Sequence, residues 1–232
     1  AVLDEHAERG LPRDAQPPAD SRVGVFDGVE LSRRLMELAG DAVLKSVGLN
    51  PRLVQVTVYD PQAVMPELPL RFLPLAADVR VVTLRPERYD EAQFTAMRRY
   101  GAVLTVGSDP SMLRGALLAL APAGLPAGFE PASAVRGLTL TVPGAGGVSA
   151  AGAAGKSVVC GYVPRLPHAL NGAAPPGCDA LRFYAGLYEL SGVREIGAHP
   201  PEFLKTAGDG APSITLKDAA WRLAGLDIGV TV

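Results

Sequence analysis

The sequence predicts an α/β protein with a mostly parallel sheet and flanking helices in its N-terminal half. Two observations carry this prediction. Within residues 22–124, four short apolar runs are separated by connections of about a dozen residues or more, the length that parallel strands need. After residue 124 the chain becomes nearly free of charge, and its strand-like runs favour a β-hairpin followed by a helical C-terminal extension. The complete prediction is α/β with an α+β extension.

The predicted core begins with a strand and a helix. Residues 23–26 form a short apolar run that suits a buried strand, and apolar side chains recur at helical spacing over residues 29–45 until Gly48 ends the helix. Residues 53–59 are rich in β-branched side chains and lie between two turns that contain proline, which predicts a strand. Four prolines make residues 61–74 irregular.

The same kinds of pattern complete the predicted core. Residues 79–84 and 102–106 are predicted to be strands because they are short, apolar and bounded by turn residues. Between them, Asp90 is predicted to open a helix, with Gln93 three residues later at the spacing of a capping box. An apolar segment at residues 112–120 is predicted to be helical.

The C-terminal half divides into a low-charge segment, residues 125–177, and a helical part, residues 178–232. Strands predicted at 138–142 and 157–163 would form the hairpin across a loop of Gly, Ala and Ser. Because the cores of protein interfaces are depleted of charge, the composition predicts contact with other protein chains. Residues 117–178 contain only four charged side chains: Glu130, Arg136, Lys156 and Arg165.

Two helices are predicted near the C-terminus. Apolar side chains form one stripe along residues 179–193, which is typical of a helix packed on a core. Thr215 and Asp218 have capping-box spacing at the start of a last helix, which is predicted to carry Trp221 on its apolar face. A terminal strand is predicted at residues 228–232.

The first 21 residues are predicted to be a mobile arm, because three prolines interrupt them and they have no apolar periodicity. They lack the apolar stretch of a signal peptide, which predicts a cytoplasmic protein, or a virion component if the chain is a viral structural protein. The net charge of −2 gives no general attraction to nucleic acid or to an anionic membrane. Two cysteines, Cys160 and Cys178, form neither a disulfide framework nor a zinc site, and no cofactor is predicted.

Three aspartates are the candidate catalytic and metal-binding residues. Asp27, Asp60 and Asp109 each directly follow a predicted strand. The carboxyl ends of parallel strands line one crevice, and carboxylate oxygens are ligands that Mg²⁺ prefers. The alternative interpretation is structural: Asp109 precedes a proline as a helix N-cap would, and Asp60 precedes another as an ordinary turn starter.

Two short stretches carry a resemblance to nucleases. Residues 25–31, Val-Phe-Asp-Gly-Val-Glu-Leu, resemble the opening strand of the PIN-like and NYN-type nucleases, with Glu30 in the place of their Asn. The pair Ser108 and Asp109 is similar to their later acidic motif. The resemblance implies a divalent-metal-dependent enzyme that acts on a phosphate-bearing substrate through the three aspartates.

Residues 150–157 fit a relaxed phosphate-loop pattern, with Lys156 and Ser157 in the places of its Lys and Ser. A phosphate loop must open a helix whose N-terminal amides meet the phosphates. Here a strand-like run follows directly and Pro164 comes soon after it, so these residues are predicted to belong to the hairpin loop instead.

Three functions remain open at this stage. The first is a non-catalytic subunit of a larger protein assembly, such as a viral or phage particle or another multi-subunit complex. Its homo- or hetero-oligomeric contacts would use the arm and the low-charge hairpin. The second is an α/β enzyme for a phosphate-bearing substrate, which would use Mg²⁺, and the third is a small-molecule binding module that uses the same crevice. The mass in solution separates the first from the others, because a dilute, stable monomer contradicts an assembly.

Overall fold

Six parallel strands form the centre of the structure, a computed structural model that describes residues 3–4, 25–26, 28–125, 135–142, 158–207 and 213–227. They belong to an eight-stranded sheet in which two further strands lie antiparallel at one edge. Helices pack on this sheet, so the prediction of an α/β protein with a mostly parallel sheet is confirmed. Within the described ranges, every helix is too short or too polar to cross a membrane.

The strands are numbered along the chain. The pair β1 (Leu3–Asp4) and β2 (Val25–Phe26) forms a separate, parallel, two-stranded sheet. The eight-stranded sheet has the order β10-β9-β8-β7-β6-β3-β4-β5. Its strands are β3 (Gln55–Tyr59), β4 (Asp78–Val82), β5 (Thr105–Gly107), β6 (Leu118–Ala121), β7 (Leu138–Thr141), β8 (Val158–Val163), β9 (Phe203–Thr206) and β10 (Ser213–Ile214).

The helices are α1 (Val29–Val47), α2 (Asp90–Thr95, continued by the π-helical turn Ala96–Tyr100), α3 (Ala180–Leu190) and α4 (Leu216–Asp227). The longest of them, α1, packs on β6, β7 and β8 through a buried apolar stripe that includes Leu35, Ala39 and Val43. The helix α1 also contacts both α3 and α4, so the first and last helices of the described chain pack together.

Side chains alternate between the two faces of the sheet, as the pleat of a strand requires. In β3, Val56 and Val58 join the main apolar core beneath the helices, whereas Thr57 lies on the opposite face. On that opposite face the 3-10 turn Pro110–Leu113 packs on β3 and β4. The hydroxyl of Thr57 donates to the carbonyl of Met112 at 3.4 Å, which ties the turn to the sheet.

Burial explains the low charge of the central strands within residues 117–178, but not that of residues 165–178, most of which are exposed. The segment supplies β6, β7 and β8, which occupy the middle of the sheet between β3 and β9. Every residue of Leu118–Ala121 and of Leu138–Thr141 is buried. Parallel strands that are covered on both faces are apolar in sequence. The missing charges of these strands therefore follow from their position in the sheet, and contact with other chains through the rest of the segment stays a prediction.

The predicted hairpin at residues 138–163 is wrong. Its two strands are neighbours, but β7 and β8 run parallel, with Leu140 opposite Val159. The antiparallel partner of β8 is β9. A hairpin cannot join a parallel pair, because the chain must return along the sheet before the second strand starts. The connection itself, residues 143–157, lies outside the described residues, as does the stretch that fits the phosphate-loop pattern.

The helix predicted at residues 112–120 is also wrong. A 3-10 turn, Pro110–Leu113, is followed by the central strand β6. Leu and Ala favour helices when they are taken alone. In the folded chain the backbone of β6 pairs with β3 on one side and with β7 on the other. These two ladders outweigh the local preference, as is common for strands at the centre of a sheet.

The strand predicted at residues 23–26 lies outside the eight-stranded sheet. Val25–Phe26 pairs instead with Leu3–Asp4, so a part of the predicted arm forms a short strand. The other residues of the range 1–21 lie outside the described part of the chain, and their predicted mobility stays a prediction.

The two predicted capping boxes have different outcomes. Thr215 and Asp218 form one at the start of α4: the Asp218 amide donates to Thr215 Oγ1 at 3.1 Å, and the Thr215 amide donates to Asp218 Oδ2 at 3.0 Å. No such box forms at Asp90, because a 3-10 turn leads directly into α2 there. The side chain of Gln93 donates instead to the carbonyl of Leu104, at 3.1 Å.

The C-terminal region differs from its prediction at two points. Trp221 is 68% exposed, and the core face of α4 is formed by Ala219, Ala220 and Leu223. The short strands β9 and β10, which were not predicted, extend the sheet beyond β8. The strand predicted at residues 228–232 lies outside the described residues.

Candidate functional site

The six parallel strands have the order of a doubly wound sheet. Numbered from β3 to β8 along the chain, they lie in the order 3-2-1-4-5-6. The chain moves outward from β3 through β4 to β5 and then crosses back, so that β6 lies on the other side of β3. Ligands of such sheets bind where this reversal occurs, beyond the carboxyl ends of the two central strands. The carboxyl ends of β3 and β6 are therefore the candidate functional site.

Asp60 lies at the carboxyl end of β3 and is completely buried. Its carboxylate accepts three hydrogen bonds, from the amide of Val64 at 2.9 Å, from the amide of Met65 at 2.8 Å and from the hydroxyl of Tyr89 at 2.8 Å. Among the described residues no cation forms an ion pair with it. These three donors therefore compensate for the water that the carboxylate loses on burial.

Tyr89 is fixed as a hydrogen-bond donor to this carboxylate. Its side chain is completely buried. Burial, and then the negative charge of Asp60, raises the pKa of the Tyr89 phenol well above its usual range. The phenol therefore stays protonated throughout the physiological pH range and donates a hydrogen bond to Asp60 Oδ2.

The turn that holds Asp60 differs from a phosphate-binding turn. Dinucleotide-binding sheets place glycines after the first strand so that phosphate oxygens can approach the backbone amides. Here residues 60–65 read Asp-Pro-Gln-Ala-Val-Met, without a glycine, and Ala63 has a left-handed φ of 53°. The amides of Val64 and Met65 point at the Asp60 carboxylate. The turn thus has the donors of an anion site, and the chain itself supplies the anion.

A second carboxylate contacts the N-terminus of α1, which lies at the same edge of the sheet. Arg33 Nε donates to the carbonyl of Pro122, one residue past β6, at 3.1 Å. The helix begins after Gly28 without a side-chain cap of its own. Glu189, from α3, accepts the amide proton of Leu31 at 3.0 Å. Unpaired amides at a helix N-terminus attract anions, and here the carboxylate of Glu189 is the anion that binds there.

Asp109 does not join Asp60. It follows β5, which lies two strands away from β3, so about 10 Å of sheet separates the two strand ends. Asp109 is exposed and caps the turn Pro110–Leu113. Hydrogen bonds from the hydroxyl and the amide of Ser111 lower the pKa of its carboxyl. The structural interpretation of Asp109 as an N-cap before proline is therefore confirmed.

Asp27, the third aspartate, lies outside the described residues. In the part of the chain that the structure describes, no three His, Cys, Asp or Glu side chains are grouped so that they could hold a metal ion. The oxygens of Asp60 and of Asp109 accept hydrogen bonds from their own turns. A Mg²⁺ site that includes Asp27 stays a prediction.

The sequence did not predict two of the carboxylate contacts at this edge of the sheet: the one between Tyr89 and Asp60, and the one between Glu189 and the start of α1. Glu189 accepts a hydrogen bond from Leu31, a residue 158 positions earlier in the chain. No local pattern signals a contact at such a separation. Tyr89 did offer a general signal, because a buried tyrosine needs a partner for its hydroxyl. Without the fold, however, nothing in the sequence shows that Tyr89 is buried.

Known proteins offer little likeness to this chain. No protein-family model matches it, and no curated protein matches its sequence. Among solved structures, it is similar to the L-tryptophan dehydrogenase from Nostoc punctiforme, with 15% sequence identity and a TM-score of 0.35. The match covers 90% of this chain and 63% of that one, so the chain spans less than two thirds of that structure's length. A likeness of this size carries no conclusion about activity.

Proposed function

We propose that the chain is a non-catalytic subunit of a larger protein assembly, built on a sheet with the doubly wound strand order whose first turn binds its own carboxylate. The observation that carries the proposal is the buried carboxylate of Asp60 at the switch point. This carboxylate already accepts hydrogen bonds from the amides of Val64 and Met65. A ligand phosphate would compete for these donors and would lie close to a like charge, which is unfavourable in a buried site.

The exposed surface supports contact with other chains. Single exposed apolar side chains are ordinary, but Phe, Met and Trp are enriched at interfaces. The side chains of Phe94, Met97 and Trp221 are all more than 60% exposed on the helices α2 and α4. These helix surfaces replace the strands of the low-charge segment as the support for an assembly, because those strands are buried in the sheet.

Light scattering coupled to size-exclusion chromatography of the full chain tests this proposal. We expect a mass above the 24.1 kDa of one chain at high protein concentration, with a fall towards 24.1 kDa on dilution. A mass of 24.1 kDa at every concentration would contradict the proposal.

A second candidate is a small-molecule binding module, which the strand order favours. Thermal unfolding with nicotinamide and adenine nucleotides separates the two candidates, because a ligand that binds only the folded state raises its stability. We expect no change in the unfolding midpoint, and a rise with any of these nucleotides would favour the module.

A further inference from the structure

The outer surface of α2 carries two exposed apolar side chains between opposite charges. Phe94 is 63% exposed and Met97 is 66% exposed, and they lie about one helical turn apart. Two acidic residues lie in the first turn of the helix and two arginines lie in its last turn. We name this surface the α2 strip, and its residues are Asp90, Glu91, Phe94, Met97 and Arg98.

The packing of α2 holds the strip in place. Ala92 and Ala96 face the core. The Gln93 side chain donates to the carbonyl of Leu104, which anchors the helix to the segment that leads into the edge strand β5. The last turn widens to a π-helix over Ala96–Tyr100. The strip therefore belongs to a helix that is fixed on the sheet, which is the kind of element that presents a defined surface.

The charged residues of the strip have no ion-pair partner in the part of the chain that the structure describes. All of them are exposed. The guanidinium carbon of Arg98 lies 5.9 Å from the centre of the Phe94 ring, so charge and apolar surface are continuous there. The helix dipole accounts for the signs of the charges. It does not account for Phe94 and Met97, which remain in water between them.

We propose that the α2 strip is the contact between two copies of this chain, with their α2 helices antiparallel about a two-fold axis. Glu91, Phe94 and Arg98 lie three and four residues apart and so share one face of the helix, with Glu91 in its first turn and Arg98 in its last. An antiparallel pair therefore places Glu91 of each copy opposite Arg98 of the other, while the Phe94 side chains meet near the axis. A surface that is acidic at one end and basic at the other complements itself in this arrangement, which closes with two copies, whereas a head-to-tail contact leaves unpaired ends.

The inference rests on the proposed function and names its partner as a second copy of the chain. The strip is small beside the roughly 800 Å² per partner of a standard interface, so the pair belongs to the weak and transient class. Its association depends on protein concentration and weakens as salt is added, because the flanking charges are exposed.

Sedimentation equilibrium of the full chain, in low salt, tests the contact. Glu91→Arg places like charges opposite each other twice in a symmetric pair, and we expect it to raise the dimer dissociation constant about tenfold or more. Arg98→Glu has the same expected effect. The double variant Glu91→Arg/Arg98→Glu exchanges the two charges, and we expect it to restore association to near the wild-type level.

Two further variants make the outcome decisive. Leu53→Ala removes a side chain that is 66% exposed and lies outside the strip and outside both helix surfaces, and it should leave the dissociation constant unchanged. Phe94→Ala should weaken association without changing the thermal midpoint, and it replaces the double variant if that one fails to fold. If the wild-type chain associates and none of the strip variants weakens it, the strip is not the contact although the proposed function stands. A wild-type chain that is monomeric at every concentration overturns both.

Discussion

A buried carboxylate is unfavourable unless donors replace its water, and Asp60 depends on three of them. Asp60→Asn keeps the shape of the side chain but turns one acceptor oxygen into an NH₂ group. That group faces an amide or the Tyr89 hydroxyl, so two donors oppose each other. We expect the free energy of unfolding, measured in urea, to fall by about 2–3 kcal/mol.

Asp109→Asn is the matched control for this prediction. Asp109 is exposed, and Asn serves as an N-cap as well as Asp does. The free energy of unfolding should therefore change by less than about 0.5 kcal/mol. If both substitutions have the same effect, the donors around Asp60 are not what stabilises its turn.

Substitution of Asp27 tests the alternative function, that of a metal-dependent enzyme. A metal ion that binds only the folded chain raises its thermal midpoint. We expect no change in the midpoint on addition of millimolar Mg²⁺ or Mn²⁺, because Asp60 and Asp109 accept hydrogen bonds within their own turns. A rise that disappears in Asp27→Asn would show that these aspartates do hold a metal.

At the scale of the secondary-structure elements, the N-terminal cap of α4 includes a titratable group, the carboxyl of Asp218. Hydrogen bonds from the amide and then the hydroxyl of Thr215 lower the pKa of Asp218 in the folded chain. A carboxyl whose pKa falls on folding stabilises the protein above its unfolded pKa of about 4, and this contribution is lost as the pH falls through the folded value. We expect Asp218→Asn to have a lower thermal midpoint than wild type at about pH 7, and this difference to shrink as the pH falls through the lowered pKa of Asp218. A difference that persists in acid would mean that shape, rather than charge, gives the cap its effect.

The connection between β7 and β8 gives a test of their parallel pairing. Replacing residues 145–154 with Asn-Gly leaves fewer than the dozen or so residues that a parallel crossover needs. We expect this variant to show no cooperative thermal transition when its unfolding is monitored by circular dichroism. A variant that unfolds like wild type would mean that the two strands form a hairpin after all. The control is an Ala-to-Ser exchange within the same residues, which keeps the length and should keep the transition.

Composition decides which elements the sequence could predict. Val-rich strands such as β3 and β4, with turn residues at their ends, were predicted close to their true bounds. The strand β6 reads Leu-Ala-Leu-Ala and becomes a strand only because neighbours pair with it on both sides. At the candidate site, the sequence placed Asp60 and Asp109 at strand ends. It could not place Tyr89 or Glu189, because their contacts join residues 29 and 158 positions apart.

For the whole molecule, one sheet draws strands from all three of the segments 22–124, 125–177 and 178–232. Its helical face is closed by α1 together with α3 and α4, so elements from both ends of the described chain share one core. We expect a chain that stops at residue 212, without β10 and α4, to lose cooperative unfolding and to be cleaved rapidly by a protease. A truncated chain with the wild-type transition would show that α4 is dispensable for the core.

The packing of α1 against α4 also has a consequence for synthesis of the protein. Translation adds about 5–20 residues per second, so roughly 10 to 30 s pass between the emergence of α1 and that of α4. During this interval the stripe that includes Leu35, Ala39 and Val43 lacks its last partner. The helix α1 is thus among the last of the described helices to be fully covered. A chaperone that binds apolar helices on nascent chains would find its site in α1, and slower translation would lengthen the time at risk of aggregation.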